Sequence, residues 1–353
     1  MNSINTTSYS IHFNTDAFNA LNTHLEEKAY STIFIMVDEN THEHCLPAFM
    51  SQITGDYAFE IIEIESGEEN KNIETCTGVW SALSELGGDR KSIILNLGGG
   101  VLTDLGGFVA STFKRGISFI NIPTTLLSMV DASVGGKTGV DLGPLKNQIG
   151  VINQPQMVLI VPEFLQTLEA RQIESGFAEM LKHGLIKDKN YWEELKKITS
   201  FKEMEAHIHD SVIIKNDVVT IDPTEQNLRK ILNFGHTLGH AIESHYLESE
   251  ELPTLLHGEA IAIGMILEGY LSYKLTGLPK SELKDIKETF LSRYKKIEFT
   301  QEGIKSILKL LIFDKKNSHG NINFVLLKSI GEAVYDIKIK DELFSKAFSY
   351  YKE

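Results

Sequence analysis

The sequence lacks several features that would define a class of protein. It has only 2 cysteines, Cys45 and Cys76, without metal-site spacing, so we expect two thiols in a reducing compartment and no disulfide framework. No run of about eighteen apolar residues occurs, which excludes a predicted membrane-spanning helix. The first residues, MNSINTTSYSIHF, lack a basic segment followed by an apolar core. We therefore expect a cytoplasmic protein.

Basic residues are also fewer than acidic residues. The chain carries 34 lysines and arginines against 48 aspartates and glutamates, a formal net charge of −14. Because nucleic acids and anionic membranes are held by basic surfaces, the balance argues against both partners. A small-molecule ligand is the expected partner.

Length and hydrophobic periodicity predict two domains. A chain of 353 residues exceeds one ordinary core, and its 42% hydrophobic content is typical of globular proteins. Strand-like runs alternate with helical patterns in the first half, which predicts a Rossmann-like α/β domain with a mostly parallel sheet over residues 1–168. Residues 169–353 are mainly helical in period, with one late β-like segment. The predicted strands of the first half are Ser31–Val37, Phe59–Ile64, Ser92–Leu97, Ile117–Ile122 and Met157–Val161.

The most informative segment is Leu228–Ser244, LRKILNFGHTLGHAIES. On one continuous helix its polar residues would share a single stripe, because they are spaced at i, i+4, i+7 and i+11. Burying such groups is costly unless they serve a ligand or one another, so a polar site is favoured over satisfied structural histidines. An HxxxH pair is a common zinc chelator, whereas the HExxH motif of metalloproteases is absent. The stripe consists of Arg229, Asn233, His236 and His240.

Two segments of the first half are candidates for nucleotide binding. Gly98–Gly107, GGGVLTDLGG, follows a strand and opens a helix near Thr103, so backbone amides could approach a pyrophosphate. Its spacing is not GxGxxG, and a plain tight turn is the alternative. Ser66–Lys71, SGEENK, follows another strand end, where a carboxylate often holds ribose hydroxyls.

Further polar residues occur within apolar surroundings. The segment Ile122–Val151 includes Lys137, Lys146 and Asn147, which suggests an anionic ligand. Glu179 and Lys182 are three residues apart on one helical pattern and would otherwise form a plain surface ion pair. A zinc site of the His2Glu kind would need such a carboxylate, and His257 offers a further nitrogen.

Six ordered motifs together resemble the 3-dehydroquinate synthase family over roughly residues 60–330. They are PTTLLSMVDASVGGKTGVD, the Lys146–Asn147 pair, GFAEMLK, LRKILNFGHTLGHAIE, HGEA and the late DKK at 314–316. The resemblance implies an NAD-binding first domain, a second domain for metal and substrate, and a homodimer. It implies a zinc or cobalt site formed by Glu179, His236 and His257, so that His240 becomes a substrate contact.

The resemblance also implies the remaining site residues. NAD would be bound by Ser66, Gly67, Glu68, Glu69, Asn70, Lys71, Gly100, Val101, Leu102, Thr103, Asp104, Thr124, Thr125, Asp131, Lys137, Lys146, Phe164, Leu165, Gln166 and Thr167. The anionic sugar-acid phosphate would be held by Arg115, Lys137, Asn147, Lys182, Lys215, Arg229, Asn233, His240 and either Lys315 or Lys316.

The implied reaction converts 3-deoxy-D-arabino-heptulosonate 7-phosphate to 3-dehydroquinate and phosphate, with NAD removing and returning one hydride. Two departures from the family pattern are the GPLKN loop and a longer stretch between His240 and His257. Three alternatives remain: a sister cyclase making inosose or valiolone products, a metal-dependent polyol or glycerol-phosphate dehydrogenase, and a non-catalytic binding protein. Lys215, Arg229 and Asn233 argue against a substrate without a carboxylate.

Overall fold

The computed structural model describes residues 1–143, 145–249, 251–317 and 322–353, without the side chains of residues 201 and 312–317. The chain divides into two compact units, Met1–Ile173 (unit 1) and Glu174–Glu353 (unit 2). The domain boundary predicted from the sequence lies after residue 168. The division in the structure lies slightly later, within the first turns of the helix Ala170–Lys187.

Unit 1 is an α/β unit built on a largely parallel sheet. Within its described part, seven strands have the order β1-β2-β9-β6-β5-β3-β4, and every pair except β1–β2 is parallel. The elements are β1 Ile4–Asn5, β2 Ser10–Phe13, α1 Asn14–Lys28, β3 Ile33–Asp38, α2 Glu39–His44, α3 Leu46–Met50, β4 Phe59–Ile64, α4 Ile73–Glu85, β5 Ile93–Gly98, α5 Gly100–Thr112, β6 Ser118–Pro123, β7 Lys137–Leu142, β8 Leu145–Ile152 and β9 Met157–Ile160.

The central strand β5 of this sheet is mainly apolar and is buried on both faces. All residues of β5, IILNLG, are buried, as expected for a parallel strand enclosed on both sides. The predicted α/β fold class is confirmed, and the predicted strands correspond to β3, β4, β5, β6 and β9. The antiparallel hairpin β7–β8 was not predicted from the sequence.

Unit 2 is mainly helical, as predicted. Its elements are α6 Ala170–Lys187, which begins in unit 1, α7 Lys189–Leu195, α8 Phe201–Ala206, α9 Ile208–Ile221, α10 His236–Leu247, α11 His257–Leu275, α12 Lys280–Arg293, α13 Gln301–Asn317, β10 Asn323–Ser329, β11 Glu332–Lys338 and α14 Glu342–Lys352. No helix in the described ranges is long and apolar enough to cross a membrane.

The continuous helix predicted over Leu228–Ser244 is wrong. Leu228–Asn233 is a 3-10 turn, and α10 begins only at His236. The interruption lies at Gly235, whose φ of +81° is a left-handed conformation that glycine adopts without a Cβ clash. Arg229 and Asn233 therefore do not share one helical stripe with His236 and His240, although the sequence spacing fits such a stripe.

Helices α10 and α11 pack with their backbones in close contact. A Cβ added to Gly264 of α11 would lie 2.0 Å from the carbonyl oxygen of Gly235 and 2.8 Å from the nitrogen of Gly239. A Cβ on Gly239 would lie 2.6 Å from Cδ1 of Ile261. Because real side chains do not fit at these distances, the glycines beside the histidines serve helix packing.

Candidate functional site

Helix α6 carries a buried charged pair, Glu179 and Lys182. Their side chains are 0% and 1% exposed, and Nζ of Lys182 forms an ion pair with Oε2 of Glu179. Neither carboxylate oxygen of Glu179 has a hydrogen-bond partner of ordinary geometry in the described part of the chain. An isolated buried carboxylate is strongly unfavourable, so Glu179 requires positive charge. The alternative of a surface ion pair is excluded by this burial.

The first residue of α10, His236, faces this carboxylate. Its Nε2 lies 3.6 Å from Oε1 of Glu179. Its Nδ1 lies 3.1 Å from the carbonyl oxygen of Phe234, which can only accept, so Nδ1 is assigned the proton. Nε2 then presents a lone pair towards Glu179, the form in which imidazole binds a metal.

The first residue of α11, His257, approaches from another side. Its Nε2 lies 3.7 Å from the same oxygen of Glu179, and its Nδ1 lies 3.1 Å from Oε2 of Glu243. The following N–H, that of Gly258, donates to Oγ of Ser175, one turn before Glu179 on α6. Helices α6, α10 and α11 thus each contribute one donor to the same point.

The separations suit a tetrahedral cation. Donors about 2.1 Å from a zinc or cobalt ion would be about 3.4 Å apart, close to the two distances from Glu179. His240 is also near: its ring centroid is 5.1 Å from that of His236 and 5.6 Å from that of His257. The ligand nitrogens of His236, His240 and His257 lie within 4.8 Å of one another, so these three histidines form a second possible ligand set. The set Glu179, His236 and His257 stays a prediction from the family resemblance.

Two of the predicted substrate-binding cations of unit 2 are buried. Lys215 of α9 is 5% exposed and Arg229 is 2% exposed. Nη1 of Arg229 donates to the carbonyl oxygen of Pro223 at 2.7 Å, and Nδ2 of Asn233 donates to Oε1 of Glu225. Lys315 and Lys316 fall in the last turn of α13, and their side chains lie outside the described residues.

The N-terminus of α5 forms the predicted phosphate-binding turn of unit 1. The helix begins at Gly100, earlier than the predicted start near Thr103, and its N-cap Gly99 supplies no side-chain hydrogen bond. The first intrahelical bond is donated by Thr103, so the N–H groups of Gly100, Val101 and Leu102 are available to an anion. A Cβ on Gly99 would lie 3.0 Å from Cγ2 of Thr125, a closer contact than side chains usually make.

Buried Lys71 connects three predicted segments of unit 1. Its Nζ donates to Oδ2 of Asp104 at 2.5 Å and to Oδ1 of Asn147 at 2.7 Å. Burial lowers the pKa of Lys71, but the carboxylates of Asp104 and Glu68 outweigh it and raise that pKa above its usual range. The neighbouring Lys146 is held by Glu68 at 2.8 Å.

Other predicted residues of unit 1 lie at strand and helix ends. Thr124 donates its N–H to the carbonyl oxygen of Gly98, and Thr103 contacts Ser128 at 3.2 Å between hydroxyl oxygens. Asp131 lies on a π-helical turn, Ser128–Ala132. In the 3-10 turn Pro162–Thr167, Phe164 and Leu165 are buried, whereas Gln166 and Thr167 are exposed.

Two predicted substrate residues of unit 1, Arg115 and Lys137, are exposed. Arg115 is exposed and follows the C-terminal end of α5, about 20 Å from the glycine turn at the other end of that helix. Lys137 is exposed at the start of β7. Both assignments remain predictions from the resemblance.

Two glutamates near the histidines were missed by the sequence analysis. Glu243 holds Nδ1 of His257, and Glu268 of α11 accepts the N–H groups of Gly235 and Leu238. Burial raises the pKa of Glu268 to about 8, against the opposing effect of its backbone donors. Glu243 could have been found from the sequence, because it lies three residues after His240 and so on the same side of the predicted helix. Glu268 lies in a largely apolar helical segment, and no sequence pattern indicated its role.

Two models of one protein family match consecutive parts of this chain. The 3-dehydroquinate synthase N-terminal profile matches residues 61–175, and the 3-dehydroquinate synthase C-terminal profile matches residues 176–317. The chain belongs to the 3-dehydroquinate synthase family. A 3-dehydroquinate synthase of Parabacteroides distasonis is 40% identical over 333 residues, covering 93% of this chain and 94% of the relative. That of Clostridium botulinum is 39% identical over 333 residues, covering 92% and 94%.

Two solved structures share the fold of this chain. A 2-deoxy-scyllo-inosose synthase has a TM-score of 0.83 at 23% identity, covering 99% of both chains. A 2-epi-5-epi-valiolone synthase of Streptomyces hygroscopicus has a TM-score of 0.80 at 26% identity, covering 100% of this chain and 99% of the other. The dehydroquinate synthases at about 40% identity are much more similar in sequence, so the 3-dehydroquinate synthase assignment is better supported than a sister cyclase.

Proposed function

We propose that this chain converts 3-deoxy-D-arabino-heptulosonate 7-phosphate to 3-dehydroquinate and phosphate, a step of the shikimate pathway towards aromatic amino acids. Family membership supports the reaction class, a phosphate-eliminating lyase that closes a carbocycle. The structural observation that carries the proposal is buried Glu179, which faces His236 and His257 and pairs with Lys182. The proposed metal ligands and a proposed cation for the anionic substrate would then share one cluster.

The proposed cofactors are NAD and a zinc or cobalt ion. The valiolone synthase that is 26% identical is described with NAD+ and Zn2+ bound, which supports both. In this chain, unit 1 would bind NAD through the N-terminus of α5 and the residues around Lys71. Unit 2 would hold the cation with Glu179, His236 and His257, because their donor atoms have the required spacing.

Each cofactor would supply one kind of chemistry when bound. NAD, held at the N-terminus of α5, would supply reversible hydride transfer at the substrate's C5 alcohol. The divalent cation would act as a Lewis acid towards the sugar oxygens. His236 and His257 can serve it because Phe234 and Glu243 hold their other ring nitrogens.

The cations of unit 2 would bind and orient the anionic substrate. Arg229 and Lys215 are buried, and buried cations attract a carboxylate much more strongly than exposed ones do. We assign the substrate carboxylate to these two residues, with Asn233 beside them. Lys182 and His240 would contact substrate oxygens next to the cation. These basic residues explain how a chain with a net charge of −14 can bind a multiply charged anion.

We also propose a homodimer in the cytoplasm. The two free, buried thiols, Cys45 and Cys76, fit a reducing compartment. The dimer follows from the family resemblance. Sedimentation equilibrium should give twice the chain mass of 39.5 kDa, and a single chain at micromolar concentration would contradict the dimer.

The deciding experiment supplies the heptulosonate phosphate with zinc and a small amount of NAD. Phosphate and 3-dehydroquinate should appear in equal amounts, measured by a molybdate assay and by chromatography. Sedoheptulose 7-phosphate, which lacks the carboxylate, should not be turned over. Equal activity on both sugars would instead assign the chain to a sister cyclase, and no activity on either would refute the proposal.

A further inference from the structure

We propose that Glu268 is a positioning residue that fixes the start of α10, and with it His236 and His240, against α11. The inference rests on the proposed metal-dependent function and extends it to a side chain outside the ligand set. Glu268 is 0% exposed and lies eleven residues, about three helical turns, after His257 on α11. Helix α11 would therefore carry one proposed metal ligand, His257, and would also hold α10, which carries His236.

The contact is made to backbone groups that have no partner inside α10. Oε2 of Glu268 accepts the N–H of Gly235 at 2.6 Å, and Oε1 accepts the N–H of Leu238 at 3.0 Å. These two groups flank His236 in the sequence. The first turn of a helix leaves such donors unsatisfied, and the N-cap Gly235 has no side chain to serve them. Glu268 replaces the missing N-cap from the neighbouring helix.

The surrounding packing makes this contact precise. Gly264, one turn before Glu268 on α11, leaves room for the carbonyl oxygen of Gly235 where a Cβ would be only 2.0 Å away. The two helices therefore touch at Gly264 and are hydrogen-bonded at Glu268, one turn further on. The close contact at Gly264 and the hydrogen bonds to Glu268 together fix the position of α10 along α11 and its rotation about its own axis.

The chemistry of Glu268 argues against a purely space-filling role. A buried carboxyl group costs free energy that an apolar side chain would not, and the positive end of a helix recovers part of it. An apolar residue at 268 would fill the same volume but leave the N–H groups of Gly235 and Leu238 unsatisfied. The position of His236 depends on those groups, since His236 and Thr237 are the two residues between them.

The test compares Glu268→Gln with Ser272→Ala. The glutamine keeps the shape but turns an NH2 group towards one of the two backbone donors. Ser272 lies one turn further along α11, is equally buried, and accepts the N–H of Leu327 instead of any group of α10. Both variants lose buried hydrogen bonding, but only Glu268→Gln loses it at the start of α10.

Two measurements that are independent of turnover decide the question. In the metal-free protein, hydrogen exchange followed by mass spectrometry should be faster over residues 235–240 in Glu268→Gln than in Ser272→Ala. With cobalt, Glu268→Gln should bind about 10- to 100-fold more weakly and show an altered visible spectrum, as expected when the support of a ligand is disturbed. Ser272→Ala should lower only the thermal midpoint.

Equal exchange over residues 235–240 in both variants, or an unchanged cobalt affinity and spectrum in Glu268→Gln, would overturn the inference. If Glu268→Gln does not fold, Glu268→Asp, which keeps the carboxyl group on a shorter arm, is measured in the same way and judged by the same outcomes. The exchange experiment needs neither substrate nor metal. A failure of the proposed reaction in the wild type is therefore distinguishable from a failure of the positioning role.

Discussion

Nδ1 of His257 lies 3.1 Å from Oε2 of Glu243, while Nε2 of the same ring faces Glu179 at 3.7 Å. A carboxylate on one ring nitrogen orients the imidazole and increases the basicity of the other. We expect Glu243→Gln to weaken zinc binding by about 10- to 100-fold, measured by competition with a chromophoric chelator. Glu248→Gln, at the exposed C-terminal end of α10, is the control; equal affinities in the two variants would contradict this role.

Removal of individual histidines separates the two possible ligand sets. Chelation should abolish turnover, and added zinc or cobalt should restore it. His236→Ala should lose the metal, because its Nε2 faces Glu179, whereas His240→Ala should keep it and lose turnover. Metal content is measured by atomic absorption, with His245→Ala on the same helix as a control. Metal retained by His236→Ala but lost from His240→Ala would support the simple HxxxH interpretation.

The cofactor should be needed only in catalytic amounts. Because the hydride is removed and returned in one cycle, far less than one equivalent of NAD should support many turnovers. No absorbance of NADH should accumulate at 340 nm. Growth of NADH in step with product would favour a dehydrogenase, the class of the Thermotoga maritima butanol dehydrogenase whose fold matches at a TM-score of 0.64 and 11% identity.

Arg229 should determine the preference for a carboxylate. Cutting away one partner of a buried charged pair typically costs about 2 to 5 kcal/mol, so Arg229→Ala should lower kcat/KM by about 30- to several-thousand-fold. Metal content should stay normal. The same variant should lose most of its discrimination against sedoheptulose 7-phosphate, measured as the ratio of the two kcat/KM values. An unchanged ratio would remove Arg229 from carboxylate recognition.

Lys71 should support both the stability of unit 1 and its affinity for NAD. Lys71→Met leaves Asp104 and Asn147 without their shared donor, and we expect a loss of about 1 to 3 kcal/mol in unfolding free energy. NAD affinity, measured by calorimetry, should fall as well. Lys91→Met, at an exposed lysine, is the matched control, and equal behaviour of the two variants would contradict the prediction.

The two thiols should be unreactive in the folded protein. Burial raises the pKa of Cys45 to about 11 and that of Cys76 to about 12. Because only the thiolate reacts, iodoacetamide at pH 8 should label both slowly in native protein and rapidly in urea, as followed by mass spectrometry. The raised values also mean that folded stability is retained below about pH 8.5, where a free thiol titrates, and falls as the pH rises towards 11. Rapid native labelling would refute this protection.

The parallel strands and helix α6 could be predicted from the sequence because both follow from local patterns, whereas the grouping of Glu179 with His236 and His257 came from the family resemblance. Strands such as Ile93–Gly98 are continuous apolar runs, and α6 has an unmistakable helical period. The helix break at Gly235 could not be predicted, since the pattern on both sides fits one helix, and the close approach of Gly235 to Met265 of α11 is a tertiary contact. The role of Glu268 depends on the same tertiary contact.

The antiparallel hairpin β7–β8 was missed for a different reason. Its glycines and hydroxyl residues resemble a ligand-binding loop more than a strand pair. The partner of Gly139 is the backbone around Ile149, whose carbonyl oxygen would lie 2.5 Å from an added Cβ. Strand pairing of this kind depends on backbone proximity, which composition does not reveal.

The close packing of α10 and α11 restricts where this chain can change in length. His257 and Glu268 face their partners from one helix, and one residue inserted between them would rotate everything beyond it by about 100°. The stretch between Leu247 and His257 lies outside both helices, so a change in its length would not alter the direction in which His257 and Glu268 face. Insertions and deletions tolerated by the enzyme should therefore occur before His257 and be absent from the three turns that follow it.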